Sequence, residues 1–274
     1  GGSQTIEAFQ NIGGADFPFQ RTGLFLQKGI VSPFSIQALQ DTFVFIGAGQ
    51  NESPAIWVLQ GNDVVKISTT AIDKELTALT QSQVSSIYSW GYAEKGAYFV
   101  GFALPSSTLV YDIITKRWHE RKSVVENTLG GYRVTSMVRA YNKVWAGDLI
   151  DGRVGRLDSD VYTEYGTTIQ RSIVTQPFQN NMDSFVVPEI EMTVESGVGN
   201  SAAADPQIGL SRSRDAKTWS DTRFRSMGKI GEHSHRAIWR RNGRASRFEL
   251  FRFTMSDPVK PVLIQLTAEI ENAQ

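Results

Sequence analysis

Five arginines near the carboxyl end of the chain form its densest group of residues capable of binding chemistry. They are Arg236, Arg240, Arg241, Arg244 and Arg247, and Trp239 and Phe248 interleave with them. Guanidinium groups pair with carboxylates across protein interfaces and also neutralise phosphates. The cluster therefore fits three interpretations: a solvated strand face, an interface between subunits, or a contact with DNA or another polyanion.

The charge of the whole chain is balanced but unevenly distributed. Its 28 basic residues offset its 28 acidic residues, so the formal net charge is zero. From Arg212 to Arg252, however, 12 Lys and Arg residues face only four acidic residues, and the remainder must be acidic. This separation bears on assembly or polyanion contact and not on the fold.

A short histidine motif is the only candidate for metal binding. On a strand, His233 and His235 would share a face, and Glu232 lies beside them. Zinc sites need three or four ligands, and the sequence offers no further one nearby. The absence of cysteine also excludes thiolate ligands. We therefore predict no metal site and no cofactor.

Residues 213–219 resemble an Asp-box, the hairpin turn of sialidase-like propellers. The resemblance implies that Asp215 accepts turn N–H groups, with Trp219 tucked beneath. It is imperfect because Ala216 and Lys217 stand where glycines are usual. The motif is structural, so the sequence predicts a turn here and not a catalytic site.

The sequence gives no support for an enzyme. No Gly-x-Ser-x-Gly elbow occurs, and no Gly-rich phosphate loop follows a strand and opens a helix. The arginines and tyrosines show no spacing that would single out a sialidase triad. We therefore predict no catalytic residues, although a glycan-binding or sialidase-like propeller remains the alternative. A WD-type scaffold is disfavoured because the Gly-His and Trp-Asp signatures are missing.

A weak repeat of about 50 residues organises the first part of the chain. Each copy has four short apolar runs, as one propeller blade requires. The copies lie at 35–39, 43–46, 55–59 and 64–67; at 85–90, 98–102, 109–113 and 117–120; and at 134–138, 144–146, 154–157 and 161–165. The four tryptophans of these repeats are expected to pack between blades: Trp57, Trp90, Trp118 and Trp145.

Residues 3–9 match the third run of a blade, so about three and a half blades are predicted. Such an arc cannot close a ring and would expose an apolar sheet face. We therefore expect the chain to be a carboxy-terminal fragment, with the missing surface supplied by other sequence or another chain. One helix is predicted at residues 70–79, with Thr70 as its cap.

The pattern changes after Gly166. Longer alternating segments at 167–174, 185–194, 207–211, 246–253 and 262–270 favour a sandwich-like unit. The predicted fold is all-β, with partial propeller-like blades of four-stranded antiparallel sheets followed by a β-sandwich-like carboxy-terminal unit. The predicted domains are residues 1–168 and 169–274. No apolar stretch is long enough for a membrane-spanning helix, so no membrane contact is predicted.

Several short motifs, in matching order along most of the chain, resemble the packaged-DNA stabilisation proteins of short-tailed phages. They are Gly2-Ser3-x-Thr5-Ile6-Glu7-x-Phe9, Leu26-Gln27-Lys28-Gly29-Ile30, Leu109-Val110-Tyr111-Asp112, Ser211-x-Ser213-x-Asp215 and Trp239-Arg240-Arg241-x-Gly243-Arg244, followed by an aromatic strand and a Ser256-Asp257-Pro258 hairpin.

This resemblance implies a structural tail hub protein that joins the portal and adaptor channel to the tail and retains packaged DNA. The expected partners are further copies in a ring, usually of six, the portal adaptor, the tail needle, the tailspikes and packaged DNA. The expected location is the virion tail, after assembly in the host cytoplasm. No catalytic residue is implied by the resemblance.

Overall fold

The computed structural model describes residues 1–14, 16–39 and 42–273. Strands account for 51% of the residues and helices for 6%, which confirms the all-β prediction. The chain divides into two compact units, which we call the blade unit (1–122 and 129–157) and the sandwich unit (123–128 and 158–274). The predicted domains, residues 1–168 and 169–274, stay a prediction.

Among the described residues up to 157, the structure has fifteen strands and three short helical segments. The strands are β1 (Ile6–Asn11), β2 (Phe19–Leu26), β3 (Gly29–Ile30), β4 (Gln37–Leu39), β5 (Thr42–Ala48), β6 (Ala55–Gln60), β7 (Asp63–Lys66), β8 (Tyr88–Glu94), β9 (Ala97–Ala103), β10 (Thr108–Asp112), β11 (Arg117–Val125), β12 (Thr128–Gly131), β13 (Val134–Ala140), β14 (Lys143–Asp148) and β15 (Val154–Leu157). The helical segments are a 3-10 turn (Pro33–Ser35), α1 (Thr70–Ala78) and α2 (Gln81–Ser85).

These strands form successive antiparallel sheets that follow the chain, as propeller blades do. The first blade is β3-β5-β6-β7 with β4 on β5, the second is β8 to β12, and the third is β13-β14-β15. The hairpin β1-β2 precedes them, in agreement with the half blade predicted at residues 3–9. Residues 40 and 41, between the predicted runs 35–39 and 43–46, lie outside the described residues.

The strand counts differ from the predicted four in each blade: the sheets of the first and second blades have five strands each, and that of the third has three. The segment predicted as the fourth strand of the third blade, 161–165, contains β16 (Thr163–Glu164), which pairs with β17 (Thr167–Thr168) and not with β15. Local bonding explains the difference. The Asp158 side chain accepts from the Asp160 N–H at 3.0 Å, and its carbonyl accepts from Val161, so the chain turns away from β15.

Aromatic packing joins neighbouring blades at two of the four predicted tryptophans. Trp90 is buried in a cluster with Val110 of the second blade and Val144 of the third. Trp118 packs on the core between the first two blades and donates from Nε1 to the Ile67 carbonyl at 2.8 Å. Trp57 and Trp145 instead donate to carbonyls of their own sheets.

The helix prediction is confirmed, with its cap one residue earlier. The Thr69 side chain, and not that of Thr70, accepts from the Ile72 N–H at the start of α1. Ile72 and Leu76 are buried in the core shared by the first two blades. The second helix, α2, was not predicted, although Thr80 and Gln83 form a capping box at its start.

One face of the third blade carries two exposed valines beside charged residues. Val138 and Val154 are 61% and 69% exposed, on the face opposite buried Val144 and Ala146. In the β1-β2 hairpin, Phe9 and Phe25 are also about half exposed. An exposed apolar sheet face was expected from the incomplete ring.

The sandwich unit has eleven strands after β17. They are β18 (Arg171–Val174), β19 (Phe178–Gln179), β20 (Phe185–Val186), β21 (Glu189–Val194), β22 (Gln207–Ser213), β23 (Arg223–Ser226), β24 (Ala237–Arg240), β25 (Arg244–Ala245), β26 (Phe248–Met255), β27 (Leu263–Ala268) and β28 (Glu271–Asn272).

Two sheets enclose the sandwich core, which confirms the predicted architecture. One has the order β18-β26-β22-β23 and the other β24-β21-β27, with a small third sheet β25-β20-β28. Phe251 and Phe253 of β26 meet Trp239 of the opposing sheet in one buried cluster. The strand predicted at 185–194 is broken into β20 and β21, because Pro188 has no N–H to continue the ladder.

The sequence analysis did not predict strands β23 and β24. These strands belong to the two opposing sheets and contact each other at one side of the sandwich. Arg223 and Arg225 of β23 donate to the carbonyls of Arg240 and Ile238 on the edge strand β24, at 3.0 and 2.9 Å. Trp239 Nε1 donates back to the Arg223 carbonyl at 2.7 Å. Side-chain bonds of this kind cover strand edges that would otherwise be unpaired. Among the described residues no helix is long and apolar enough to span a membrane.

Candidate functional site

The structure places the five arginines of the cluster on the sandwich unit, along consecutive elements. Arg240 ends β24, Arg241 begins the following turn, Arg244 starts β25, and Arg247 lies just before β26. Arg236 precedes β24. All five are solvent-exposed.

Two of the five arginines already have carboxylate partners in their own sheet. Arg236 binds Glu191 through two bonds, with Nε at 2.8 Å from Oε1, and Arg240 Nε lies 2.8 Å from Glu189 Oε2. The hydrogen bond from Arg236 holds the pKa of Glu191 below its usual range. Since β24 and β21 are hydrogen-bonded neighbours, these are cross-strand pairs.

The other three, Arg241, Arg244 and Arg247, make no ion pair within the described residues 1–14, 16–39 and 42–273. Fewer arginines of the predicted cluster are therefore unpaired than the sequence indicates. Two of these three, Arg241 and Arg244, lie in residues 240–244, which we call the arginine turn.

Hydrogen bonds fix the backbone of the arginine turn closely. Arg241 has φ +59°, a left-handed conformation that is unusual for a residue with a side chain. Its N–H donates to the Pro188 carbonyl at 2.8 Å, and the Asn242 N–H donates to the Val187 carbonyl at 3.1 Å. The buried Asn242 side chain also donates to the Trp239 carbonyl at 2.9 Å.

Three further arginines, which the sequence did not single out, support the turn from behind. Arg212 donates to the Asn242 carbonyl, Arg214 to the Arg244 carbonyl, and Arg223 to the Asn242 side-chain oxygen. Arg212 lies on β22, Arg214 directly follows β22, and Arg223 lies on β23. The alternate spacing of Arg212-x-Arg214 and Arg223-x-Arg225 predicts that the two arginines of each pair lie on one face of a strand. The partners of these arginines are set by the tertiary fold and cannot be identified from this spacing.

Gly243 allows this close packing. It has φ +89°, and a Cβ added there would lie 2.2 Å from Arg212 Nη1. A side chain there would displace the Arg212 guanidinium from its bond to the turn, and the positive φ itself favours glycine.

A buried carboxylate lies beneath the supporting arginines. Glu249 shares the inward face of β26 with Phe251 and Phe253, and its side chain is 1% exposed. Arg212 Nη1 lies 3.4 Å from Glu249 Oε1, but neither carboxylate oxygen receives a hydrogen bond. Burial raises the pKa of Glu249, and the charges of Arg212 and Arg214 act against that rise.

A shallow cleft of about 520 Å³ opens beside the arginine turn. Its lining consists of two guanidinium-bearing residues, a glycine, two apolar residues and one acid: Arg240, Arg241, Gly243, Val186, Pro188 and Glu271. The cleft offers an apolar floor with positive groups on one side. This composition can bind an anion-bearing ligand and offers no nucleophile or acid–base pair.

The Asp-box-like turn predicted at residues 213–219 is present in the structure, with the expected hydrogen bonds to Asp215. Asp215 Oδ1 accepts the Lys217 and Thr218 N–H groups, each at 2.8 Å, and Thr218 Oγ1 donates to Oδ2 at 2.7 Å. These bonds, led by that of the Thr218 hydroxyl, hold the pKa of Asp215 well below its usual range. Trp219 lies under the Arg252 guanidinium, 4.3 Å from ring centre to Cζ.

The histidine motif does not assemble a metal centre. His235 Nδ1 lies 3.1 Å from Glu232 Oε1, whereas His233 packs against Gly197. In the part of the chain that the structure describes, no group of three or more potential ligands is arranged for a metal.

The blade unit contains an arginine site that the sequence analysis missed. The Arg121 guanidinium lies within 6 Å of the ring centres of Trp90, Tyr92, Phe99 and Tyr132 and donates to the Tyr92 hydroxyl. His119 packs edge-on against Phe99, and burial followed by the Arg121 charge lowers the pKa of His119 to about 4. Trp90, Tyr92 and Phe99 belong to the same sheet as Arg121, so these contacts lie mainly within the second blade.

The two parts of the chain match two models of the same protein family. A model described as Bacteriophage P22 Gp10, beta-propeller, matches residues 1–162, and one described as Bacteriophage P22 Gp10, beta-sandwich, matches residues 170–271. The chain belongs to the phage P22 Gp10 family. The resemblance to packaged-DNA stabilisation proteins is thereby confirmed, as is the order of a propeller followed by a sandwich.

A curated Gp10-family relative extends this result. The chain is 24% identical over 253 residues to the tail hub protein gp10 of Salmonella phage P22. The alignment covers 90% of this chain and 52% of gp10, so the chain spans about half the length of the curated relative it matches.

Solved structures give weaker similarities. An exo-β-1,3-galactanase from Phanerochaete chrysosporium aligns with a TM-score of 0.29 and 8% identity, over 98% of this chain and 75% of that one. An arabinoxylan arabinofuranohydrolase from Bacillus subtilis aligns with a TM-score of 0.23 and 7% identity, over 86% and 65%. Scores this low do not establish a shared fold, and no glycosidase activity follows from them.

Proposed function

We propose that this chain is a structural, non-enzymatic part of a phage tail hub, which joins the portal and adaptor channel to the tail and retains packaged DNA. The match of both Gp10 family models in order, together with the identity to a tail hub protein, carries the proposal. Rigid β-modules suit this role because they keep their shape under load from packed DNA.

The proposal includes assembly as a ring of several copies, such as a hexamer, in the virion tail after assembly in the host cytoplasm. Its partners would be the portal adaptor, the tail needle and the tailspikes, with contact to packaged DNA. The exposed valines of the third blade, Val138 and Val154, support packing against further protein surface.

The test is deletion of the gene in the phage that encodes it. We expect heads that package DNA and then lose it, seen as empty particles by negative-stain microscopy and as DNase-sensitive DNA. Supplying the full-length gene from a plasmid should restore filled particles. Mutant particles that keep their DNA would contradict the retention role.

Location and chemistry need separate measurements. Antibodies against the chain should label the tail vertex of intact virions in immunogold microscopy, and uniform capsid labelling would contradict a tail position.

A panel of fluorogenic glycosides should give no turnover with the purified chain. Reproducible turnover would favour the glycan-cleaving alternative.

A further inference from the structure

Several hydrogen bonds support the arginine turn. Arg241 adopts a left-handed backbone, as eleven other described non-glycine residues do, so this conformation by itself marks a turn and not a binding site. Arg212 and Arg223 donate to the carbonyl and the side-chain oxygen of Asn242. The exposed guanidinium of Arg241 makes no ion pair among the described residues.

The small sheet beside the turn continues the surface of the cleft. Arg244 lies directly across from Val186, and Val186 lies across from Glu271. Directly opposed residues of antiparallel strands point to the same face. The inward face holds buried Phe185 and Ala245, so the row of Arg244, Val186 and Glu271 faces outward.

We propose that this cleft is a docking site for an acidic segment of a partner polypeptide. Carboxylates of the segment pair with Arg241 and Arg244, and its apolar side chains rest on Val186 and Pro188. The proposal goes beyond the tail function above, because it names a site and the chemistry of its partner.

The composition of the cleft favours a polypeptide over nucleic acid. Glu271 also lines this cleft and opposes phosphates and carboxylates alike, so the choice between the two classes depends on the apolar lining. That lining includes Val186 and Pro188, from which a phosphate-binding surface gains little. On the adjoining strands, Arg236 and Arg240 already pair with carboxylates, so this surface suits arginine–carboxylate geometry.

The experiment measures binding of a fluorescein-labelled peptide of alternating glutamate and valine to the full chain by fluorescence polarisation at low salt. Arg241→Asn is the main variant because asparagine tolerates the left-handed backbone. Arg244→Gln provides a second variant. Arg139→Asn, which removes an exposed arginine of the third blade, is the matched control. A glutamate–serine peptide and a short duplex DNA serve as comparison probes.

We expect saturable binding of the glutamate–valine peptide that Arg241→Asn weakens by about tenfold or more. Arg244→Gln should weaken it less, and Arg139→Asn should leave it unchanged. The glutamate–serine peptide should bind more weakly because it cannot use the apolar floor. The proposal is overturned if the acidic peptide does not saturate, if Arg241→Asn binds as well as the parent chain, or if duplex DNA binds more tightly with the same arginine dependence.

Discussion

Arg133 of the blade unit is 6% exposed and bonds to the fully buried Asp148, with Nε 2.6 Å from Oδ2. In the sandwich unit, Arg212 and Arg223 instead donate to Asn242, and Arg241 is left free on the surface. The first arrangement neutralises a buried charge and serves packing. In the second arrangement, arginine side chains hydrogen-bond to a turn and support it. Arginine therefore contributes to the core in one region and to an exposed surface in the other.

Removing the buried acid should break the blade arrangement most severely. Asp148→Ala removes the buried carboxylate that pairs with the Arg133 guanidinium, and breaking a buried pair costs about 3–5 kcal/mol. We expect residues 133–157 to lose protection in hydrogen exchange measured by mass spectrometry. Asp151→Ala is the control, because Asp151 is 41% exposed and also bonds to the exposed Arg153. Equal losses in both variants would show that burial of Asp148 does not matter.

Filling the space behind the arginine turn should be the next largest effect. Gly243→Ala places a Cβ against Arg212 and strains a backbone at φ +89°, so we expect about 2 kcal/mol of destabilisation. Urea unfolding followed by fluorescence would measure it. Gly231→Ala is the matched control, since its φ is +78° but no atom lies within 4 Å of an added Cβ. The same cost for both substitutions would mean that contact with Arg212 contributes nothing.

Local patterns in the sequence were sufficient for much of the fold. Alternation predicted the strand β26, the repeat spacing placed most blade strands but not β2, β3 or β12, and the Asp215 motif gave the correct turn. Each of these depends on neighbours along the chain. The segment 161–165 failed because a local turn at Asp158 competed with the repeat.

The candidate site could be predicted only in part, for a physical reason. The five arginines were visible as a cluster, but which of them are free depends on strand pairing across distant sequence. Glu189 and Glu191 neutralise Arg240 and Arg236 only because β21 lies beside β24. The supporting roles of Arg212 and Arg214 likewise depend on contacts about 30 residues away in sequence.

The aromatic site around Arg121 tests whether the blade unit also depends on cation–π contacts. Arg121→Met keeps an unbranched side chain that can pack on the rings but removes the charge and the bond to Tyr92. We expect a loss of about 1–2 kcal/mol, the range for a partly desolvated cation over aromatic faces. Arg117→Met on the same strand is exposed and should change stability little. If both variants unfold at the same urea concentration, the rings hold Arg121 without being stabilised by it.

The smallest expected effect concerns the buried acid under the arginine turn. Because burial raises the pKa of Glu249, the folded chain binds its proton more tightly than the unfolded chain. The contribution of this group to stability is therefore greatest below the ordinary pKa and falls as the pH rises through the folded value.

Glu249→Gln removes the titration while keeping the shape, so the difference in melting temperature between variant and parent should shift in favour of the variant from pH 4 to pH 7. Asp215 has a lowered pKa and loses its contribution in acid, but it is common to both proteins and cancels in the difference. A difference that does not change with pH would mean that Arg212 and Arg214 fully offset the burial of Glu249. The sandwich arginines would then neutralise a buried carboxylate as Arg133 does, and the contrast between the two units would be reduced to the exposed side chains of the turn.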